Sequence, residues 1–264
     1  MKKEISFKNN KGQTLRGDLY VPEEKRKLKY SAVIVCHGFT GDKEEHLALS
    51  DALLNAGFIV LRFDFGGHSQ SEGKFEETSL SQQVSELQSA INSLFSLDKV
   101  DKTKIGVVGH SFGGTVGIVA ATKDSRIKSL VTIGTVHDLI KPVRPWWGTN
   151  RLHKLITKKE KIDIPDTKYQ IDYSFVEDLK KYNVLNSASK IKIPFLLIHS
   201  LDDGLVGASQ SKTIAKQNRR AVLKLIKGES HEYGEESIKL TVNWFKKTLR
   251  QRRNKVSAGL KLKI

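Results

Sequence analysis

Gly109-His110-Ser111-Phe112-Gly113 sets a serine between two glycines, directly after the apolar stretch Lys104 to Val108 and directly before a helical segment that begins near Phe112. A strand–turn–helix junction of this kind holds its serine in a strained turn that lifts the hydroxyl above the sheet edge. Glycines flank it because neighbouring β-carbons would find no room. A hydroxyl is a weak nucleophile at neutral pH, so Ser111 requires a base, and the base requires an orienting carboxylate. At such a junction the acid and then the histidine follow the serine along the chain. His231, in the polar stretch Gly228-Glu229-Ser230-His231-Glu232, is the single histidine after residue 203. The acid belongs just after the penultimate core strand, where Asp202 and Asp203 stand side by side. Asp203 is preferred because Leu205-Val206 follows two residues later and returns the chain to the core; Asp202 is the alternative, otherwise lining a polar turn. The negative charge that develops on a substrate oxygen calls for preorganised amide donors. The amide of Phe112 is one, and that of Phe39, in Cys36-His37-Gly38-Phe39-Thr40-Gly41, is the other. His37 precedes the nucleophile and reads as a brace for this loop, and Cys36 as a buried strand residue.

The elements that must position these groups alternate. Val-, Ile-, Leu- and Phe-rich strands are expected at Ser31 to Cys36, Phe58 to Phe65, Lys104 to Gly109, Ile127 to Ile133, Ile193 to His199 and Ala221 to Ile226, as doubly covered parallel strands should be. Helices are expected at Glu45 to Ala56, Leu80 to Leu97, Phe112 to Thr122, Ser209 to Asn218 and Glu235 to Arg252. In the second, Val84, Leu87, Ile91, Leu94 and Phe95 recur at helical spacing behind a capping region at Thr78-Ser79. An opening hairpin, Glu4 to Lys8 with Thr14 to Val21, turns at Asn9-Asn10-Lys11-Gly12. The result is an eight-stranded, mostly parallel sheet with helices on both faces. Roughly sixty residues, Thr135 to Lys192, interrupt the alternation, an excess that usually serves function. This interval reads as a small inserted cap at 136–192, carrying a hairpin around Pro165-Asp166 and a helix from Phe175 to Lys181. The core is expected at 1–135 and 193–250, with a basic tail at 251–264. Trp146, Trp147, Asp166, Tyr169 and Tyr173 of the cap are candidates to contact substrate, although large aromatics also serve to pack a cap onto its core.

The chain has 264 residues, 38% hydrophobic and 28% charged, which fits one globular α/β unit with an insertion. Its apolar runs are too short for a membrane span, and the N-terminus lacks the apolar run of a secretory signal. A cytoplasmic location is therefore expected. One cysteine excludes an internal disulfide, and no metal-ligating pair is visible; no metal or cofactor is expected. A net charge of +16 raises nucleic-acid or anionic-surface binding. Counting places the charge, however. Residues 246–264 hold eight basic and no acidic residues, and residues 141–161 hold seven basic residues against Glu160 alone, so the core is nearly neutral. A small-molecule ester is then the expected partner and nucleic acid is not.

The stretches HGFTGDKEE, FDFGGHSQSEG, GHSFGG, HSLDDGLV and GESHEY resemble the α/β-hydrolase superfamily, and within it the bacterial cinnamoyl or feruloyl esterases, over nearly the whole chain to about Lys247. The resemblance implies the α/β-hydrolase fold, a Ser111–Asp203–His231 triad, oxyanion amides at Phe39 and Phe112, and a cap after the sixth strand. The chain departs from the family pattern at Ser69 of Gly67-His68-Ser69-Gln70-Ser71, at Ser200 after His199, and at Gly207, where a proline is frequent. These positions bear on loop shape and the substrate pocket. The expected activity is that of a serine carboxylesterase acting through an acyl-enzyme on small acyl or aryl esters, hydroxycinnamoyl esters among them. A thioesterase, a monoacylglycerol lipase or a peptidase would use the same three residues. A basic anionic-surface binding protein on a hydrolase fold is the alternative outside enzymes.

Overall fold

The computed structural model describes residues 1–23, 29–138 and 147–249. Its main sheet contains β1 (Lys2–Lys8), β2 (Thr14–Tyr20), β3 (Tyr30–Cys36), β4 (Ile59–Phe63), β5 (Val100–His110), β6 (Ile127–Ile133), β9 (Phe195–Ser200) and β10 (Val222–Ile226). The strand order is β1-β2-β4-β3-β5-β6-β9-β10. Only β2 runs against its neighbours, pairing antiparallel with β1 and β4; the others are parallel. Every residue of β3 and β4 is buried, as mostly apolar strands covered on both faces should be, and the exceptions Ser31 and Arg62 are hydrogen-bonded.

Helices α1 (Leu47–Asn55), α2 (Leu80–Phe95), α3 (Phe112–Lys123), α7 (Ser209–Gln217) and α8 (Glu235–Leu249) cover the sheet. Ser79 caps α2 by accepting from the Gln82 amide at 3.0 Å, and Leu80, Val84, Leu87, Ile91 and Leu94 are buried along one face. Residues Phe112 to Ala120 of α3 are all buried. The expected elements hold, with shifted ends. The first long helix is preceded by a 3₁₀ turn, Lys43–His46, that the single span Glu45 to Ala56 does not separate.

Between β6 and β9 lie α4 (Thr149–His153), a π-helical turn (Lys154–Lys158), the two-residue strands β7 (Ile162–Asp163) and β8 (Gln170–Ile171), α5 (Tyr173–Leu179) and α6 (Val184–Lys190). The expected hairpin and following helix are present; α4 and α6 are additional. The insertion is fastened to the core by polar contacts. The Asp178 carboxylate accepts from the Ser81 amide at 2.8 Å and from its hydroxyl at 2.6 Å, and Lys161 meets Glu76 at 2.6 Å. Trp146 and the tail at 251–264 lie outside the described residues. No helix among the described residues is long and apolar enough to cross a membrane.

Candidate active site

Ser111 occupies the junction of β5 and α3 with φ 50° and ψ −117°. This is a left-handed backbone that L-residues adopt only under constraint. The constraint is visible: the Ser111 amide donates to the Ile133 carbonyl at 2.8 Å, and the Thr135 hydroxyl donates to the Ser111 carbonyl at 2.7 Å. The flanking glycines are sterically required. A β-carbon at Gly109 would lie 2.2 Å from the Gly113 carbonyl oxygen, and one at Gly113 would lie 2.4 Å from that of His37.

Asp203 follows β9 and is almost completely buried. One carboxylate oxygen, Oδ1, accepts from the amides of Leu205 at 3.0 Å and Val206 at 2.7 Å. The other, Oδ2, accepts from His231 Nδ1–H at 2.7 Å and lies 3.4 Å from His199 Nε2. Burial alone would raise the pKa of this carboxyl, but the bonds from His199 and His231, the histidine charge and the Val206 amide outweigh it and hold the group well below the ordinary carboxylate range. Asp202 points elsewhere and ties down the neighbouring turn, its Oδ2 accepting from the Gly228 amide at 2.7 Å.

Ser111 and His231 open onto one cavity of about 290 Å³, lined also by Gly38, Phe39, Glu45, Trp147, Asp166 and Val206. No hydrogen bond joins the Ser111 hydroxyl to His231, a link that in related geometries often tightens only around substrate. A larger cleft of about 730 Å³, lined by Leu80, Thr115, His137 and Tyr182 among others, touches none of Ser111, Asp203 or His231.

The family model for the alpha/beta hydrolase fold matches residues 31–152. The ferulic-acid complex of Est1E from Butyrivibrio proteoclasticus superposes with a TM-score of 0.79 at 24% identity, covering 92% of this chain and 96% of that one. The chain has the α/β-hydrolase fold. Another structural neighbour is the Pyrococcus furiosus esterase Pf2001, with a TM-score of 0.70 at 24% identity over 95% of this chain and 94% of that one. By sequence the chain is similar to a mitochondrial palmitoyl-protein thioesterase of Homo sapiens, 25% identical over an alignment of 206 positions that covers 73% of this chain and 63% of the relative.

The loops around the site are braced by buried polar groups. His37 accepts the Phe65 amide at 3.0 Å and donates to the Gly38 carbonyl at 2.8 Å, so it acts as the expected brace. His68 Nε2 lies 2.8 Å from the Phe39 carbonyl. The fully buried Arg62 meets Asp18 at 2.7 Å and donates to the Lys43 carbonyl at 2.8 Å, which anchors the far end of the 38–46 loop. Ser200, where the family pattern has glycine, donates its hydroxyl to the Glu229 carbonyl at 2.6 Å and so tethers the loop that carries His231.

The candidates from the insertion divide. Trp147 is 2% exposed, yet it lines the cavity while its ring stacks on Phe39 with centroids 6.0 Å apart. Asp166 lines the cavity from a left-handed backbone, φ 58°. Tyr169 is not brought to it. Its ring stacks on Phe75 at 4.1 Å, packs partly buried against the core and borders a separate concavity. Tyr173 is likewise elsewhere, its hydroxyl accepting from Lys180 at 2.8 Å. Sequence reasoning misses Gly134 and His199. Gly134 has φ 58°, and a β-carbon there would stand 3.4 Å from Asp203 Oδ2 and from His231 Nδ1; its signal is a glycine directly after a core strand. His199 reads in the sequence only as the end of its strand. It donates from Nε2 toward the Val206 carbonyl at 2.8 Å as well as toward Asp203, and its Nδ1 pairs with the Ser211 hydroxyl at 2.7 Å.

Proposed function

We propose that the protein is a serine carboxylesterase in which Ser111 attacks the ester carbonyl, His231 takes its proton and Asp203 orients His231. The observation that carries this is the constrained Ser111 turn opening onto the same cavity as a histidine whose far nitrogen is bonded to a buried carboxylate. The tetrahedral oxyanion is received by the amides of Phe39 and Phe112, and the alkoxide leaves with the proton held on His231. Water then repeats the sequence on the acyl-enzyme, releasing the acid and restoring Ser111. A cavity of about 290 Å³ is at the lower end of ordinary ligand sites, which run from about 300 to 1,000 Å³. Its size favours short acyl or single-ring aryl groups, hydroxycinnamoyl esters among them, and Phe39 and Trp147 supply an aromatic wall.

A fluorophosphonate probe should label the wild type and leave Ser111→Ala unlabelled. Equal labelling of both would overturn the assignment. A panel of p-nitrophenyl esters of rising acyl length, with methyl hydroxycinnamates and acyl thioesters beside it, identifies the substrate. A thioesterase is the second reading, favoured by the likeness to a palmitoyl-protein thioesterase; faster turnover of thioesters than of matched esters would select it.

A further inference from the structure

Beside the nucleophile turn, where Glu45 and His110 help line the same cavity, three donor groups converge that the esterase mechanism does not use. Glu45 of the 3₁₀ turn, His46 beside it and His110 at the end of β5 place their ligand atoms within 4.8 Å of one another. They form the one such trio of histidine, cysteine or acidic side chains among the described residues. His46 Nε2 and His110 Nδ1 are both buried and have no hydrogen-bond partner. A buried polar nitrogen left in that state costs about 1–3 kcal/mol, and two in one place call for an explanation.

The opposite ring nitrogens supply one. His110 Nε2 lies 2.8 Å from the His231 carbonyl, which can only accept, so the ring carries its proton there and presents a bare lone pair at Nδ1. That nitrogen lies beside Gly38, where even a β-carbon would stand in ordinary contact at 3.5 Å. His46 Nδ1 is paired with the Tyr233 hydroxyl at 2.7 Å, which leaves the buried Nε2 as the nitrogen open to a ligand. The two rings are 5.7 Å apart at 70° to each other. A histidine that donates its far N–H to a carbonyl or hydroxyl while its near nitrogen stands free has the outer-shell arrangement of a metal ligand.

We propose that Glu45, His46 and His110 bind a divalent transition-metal ion, zinc by preference. Two imidazoles and one carboxylate suit zinc or cobalt over calcium or magnesium, which take oxygen ligands. Three protein ligands leave a fourth position for water. With bonds of about 2.0–2.1 Å the ligand atoms would draw in to about 3.3 Å of one another; the exposed Glu45 carboxylate is the one free to swing inward. On the esterase reading, an ion here also slows turnover. The His110 and His231 rings are 4.8 Å apart, and a dication beside His231 opposes the positive charge that ring must take up.

The test uses the whole chain, stripped with EDTA and titrated with Co²⁺. One equivalent should bind, with visible d–d absorption that Zn²⁺ abolishes. Affinity should fall at least tenfold in Glu45→Ala and in His46→Gln, and persist in Ser111→Ala and His231→Ala. Glu45→Ala carries the test if His46→Gln does not fold, since Glu45 is exposed. The proposal is overturned by absence of stoichiometric binding, which would assign the space to a buried water. It is overturned equally by binding that survives both substitutions, or by binding lost only in His231→Ala, which would put the ion on the Asp203–His231 pair. All these readouts are independent of ester turnover, so failure of the esterase reading leaves them interpretable.

Discussion

Asp203→Asn exchanges one oxygen for an amide nitrogen at almost no change in volume, and its effect follows from the hydrogen bonds around the carboxylate. The amides of Leu205 and Val206 both donate to Oδ1, so the asparagine must keep its carbonyl oxygen there. Its NH₂ group then replaces Oδ2 and confronts His231 Nδ1–H at 2.7 Å and His199 Nε2 at 3.4 Å. Donor meets donor. His231 relieves the conflict by moving its proton to Nε2, and the ring then offers Ser111 an N–H in place of a lone pair. Loss of the base in this way lowers kcat by about 10⁴-fold, equivalent to about 5.4 kcal/mol of transition-state stabilisation, with KM little changed. The folded state loses one charge-assisted hydrogen bond, worth about 1.5–3 kcal/mol. The assay is kcat on a p-nitrophenyl ester, normalised to correctly folded protein by circular dichroism. A fall of less than tenfold would refute the reasoning. Asp202→Asn is the internal comparison: Asp202 accepts only the Gly228 amide, and its substitution should stay within about threefold, as exposed polar changes generally do.

Gly134→Ala should cost about 1–2 kcal/mol in urea denaturation, because an L-residue must hold φ 58°, and it should lower kcat more than it raises KM, because the methyl group stands against Asp203 and His231. Unchanged stability would show that this backbone relaxes freely. Acid should destabilise the fold through its buried histidines. Burial, with Arg62 nearby, lowers the His46 pKa from 6.5 to about 4, and burial pushes His37, His68 and His110 down likewise. The unfolded chain therefore binds more protons than the folded one between pH 6.5 and 4. Stability present above pH 6.5 is lost as the pH falls through that window, by up to about 3 kcal/mol for His46 alone. Thermal melts from pH 7 to pH 4.5 that show no fall in Tm would contradict this.

Much of this site is legible in the sequence because its signals are local. The glycines around Ser111 announce a turn through sterics between residues two apart, and the structure shows their β-carbon space filled by backbone oxygen. The choice of Asp203 over Asp202 rests on where the chain returns to the core, and Val206 is indeed buried, with its amide on the carboxylate. The parts that stay hidden depend on contacts distant in sequence. His46 and His110 meet across 64 positions, and nothing in either neighbourhood announces the other. Membership of the insertion suggests Tyr169 for the pocket, whereas its direction is fixed by a two-residue hairpin whose register no alternation pattern determines. Helix α6 is hidden by its brevity; its sequence clue is Asn183, whose side chain caps it by accepting from the Asn186 amide at 2.9 Å.

The sheet order also acts as a ruler. His110, Ile133 and Ile198 stand in register across β5, β6 and β9, with Ser111 just past the first strand and Asp203 beyond the third. Neighbouring strands are spaced by about 4.8 Å, so one intervening strand holds the nucleophile turn and the acid turn about 10 Å apart. A hydroxyl and a carboxylate cannot meet over that gap, but an imidazole ring with a hydrogen bond at each end can bridge it. At the end of β6 the chain contributes to that space only Gly134, the one residue type with no side chain to obstruct the ring. The middle strand thus serves the chemistry by its width and by what it leaves out.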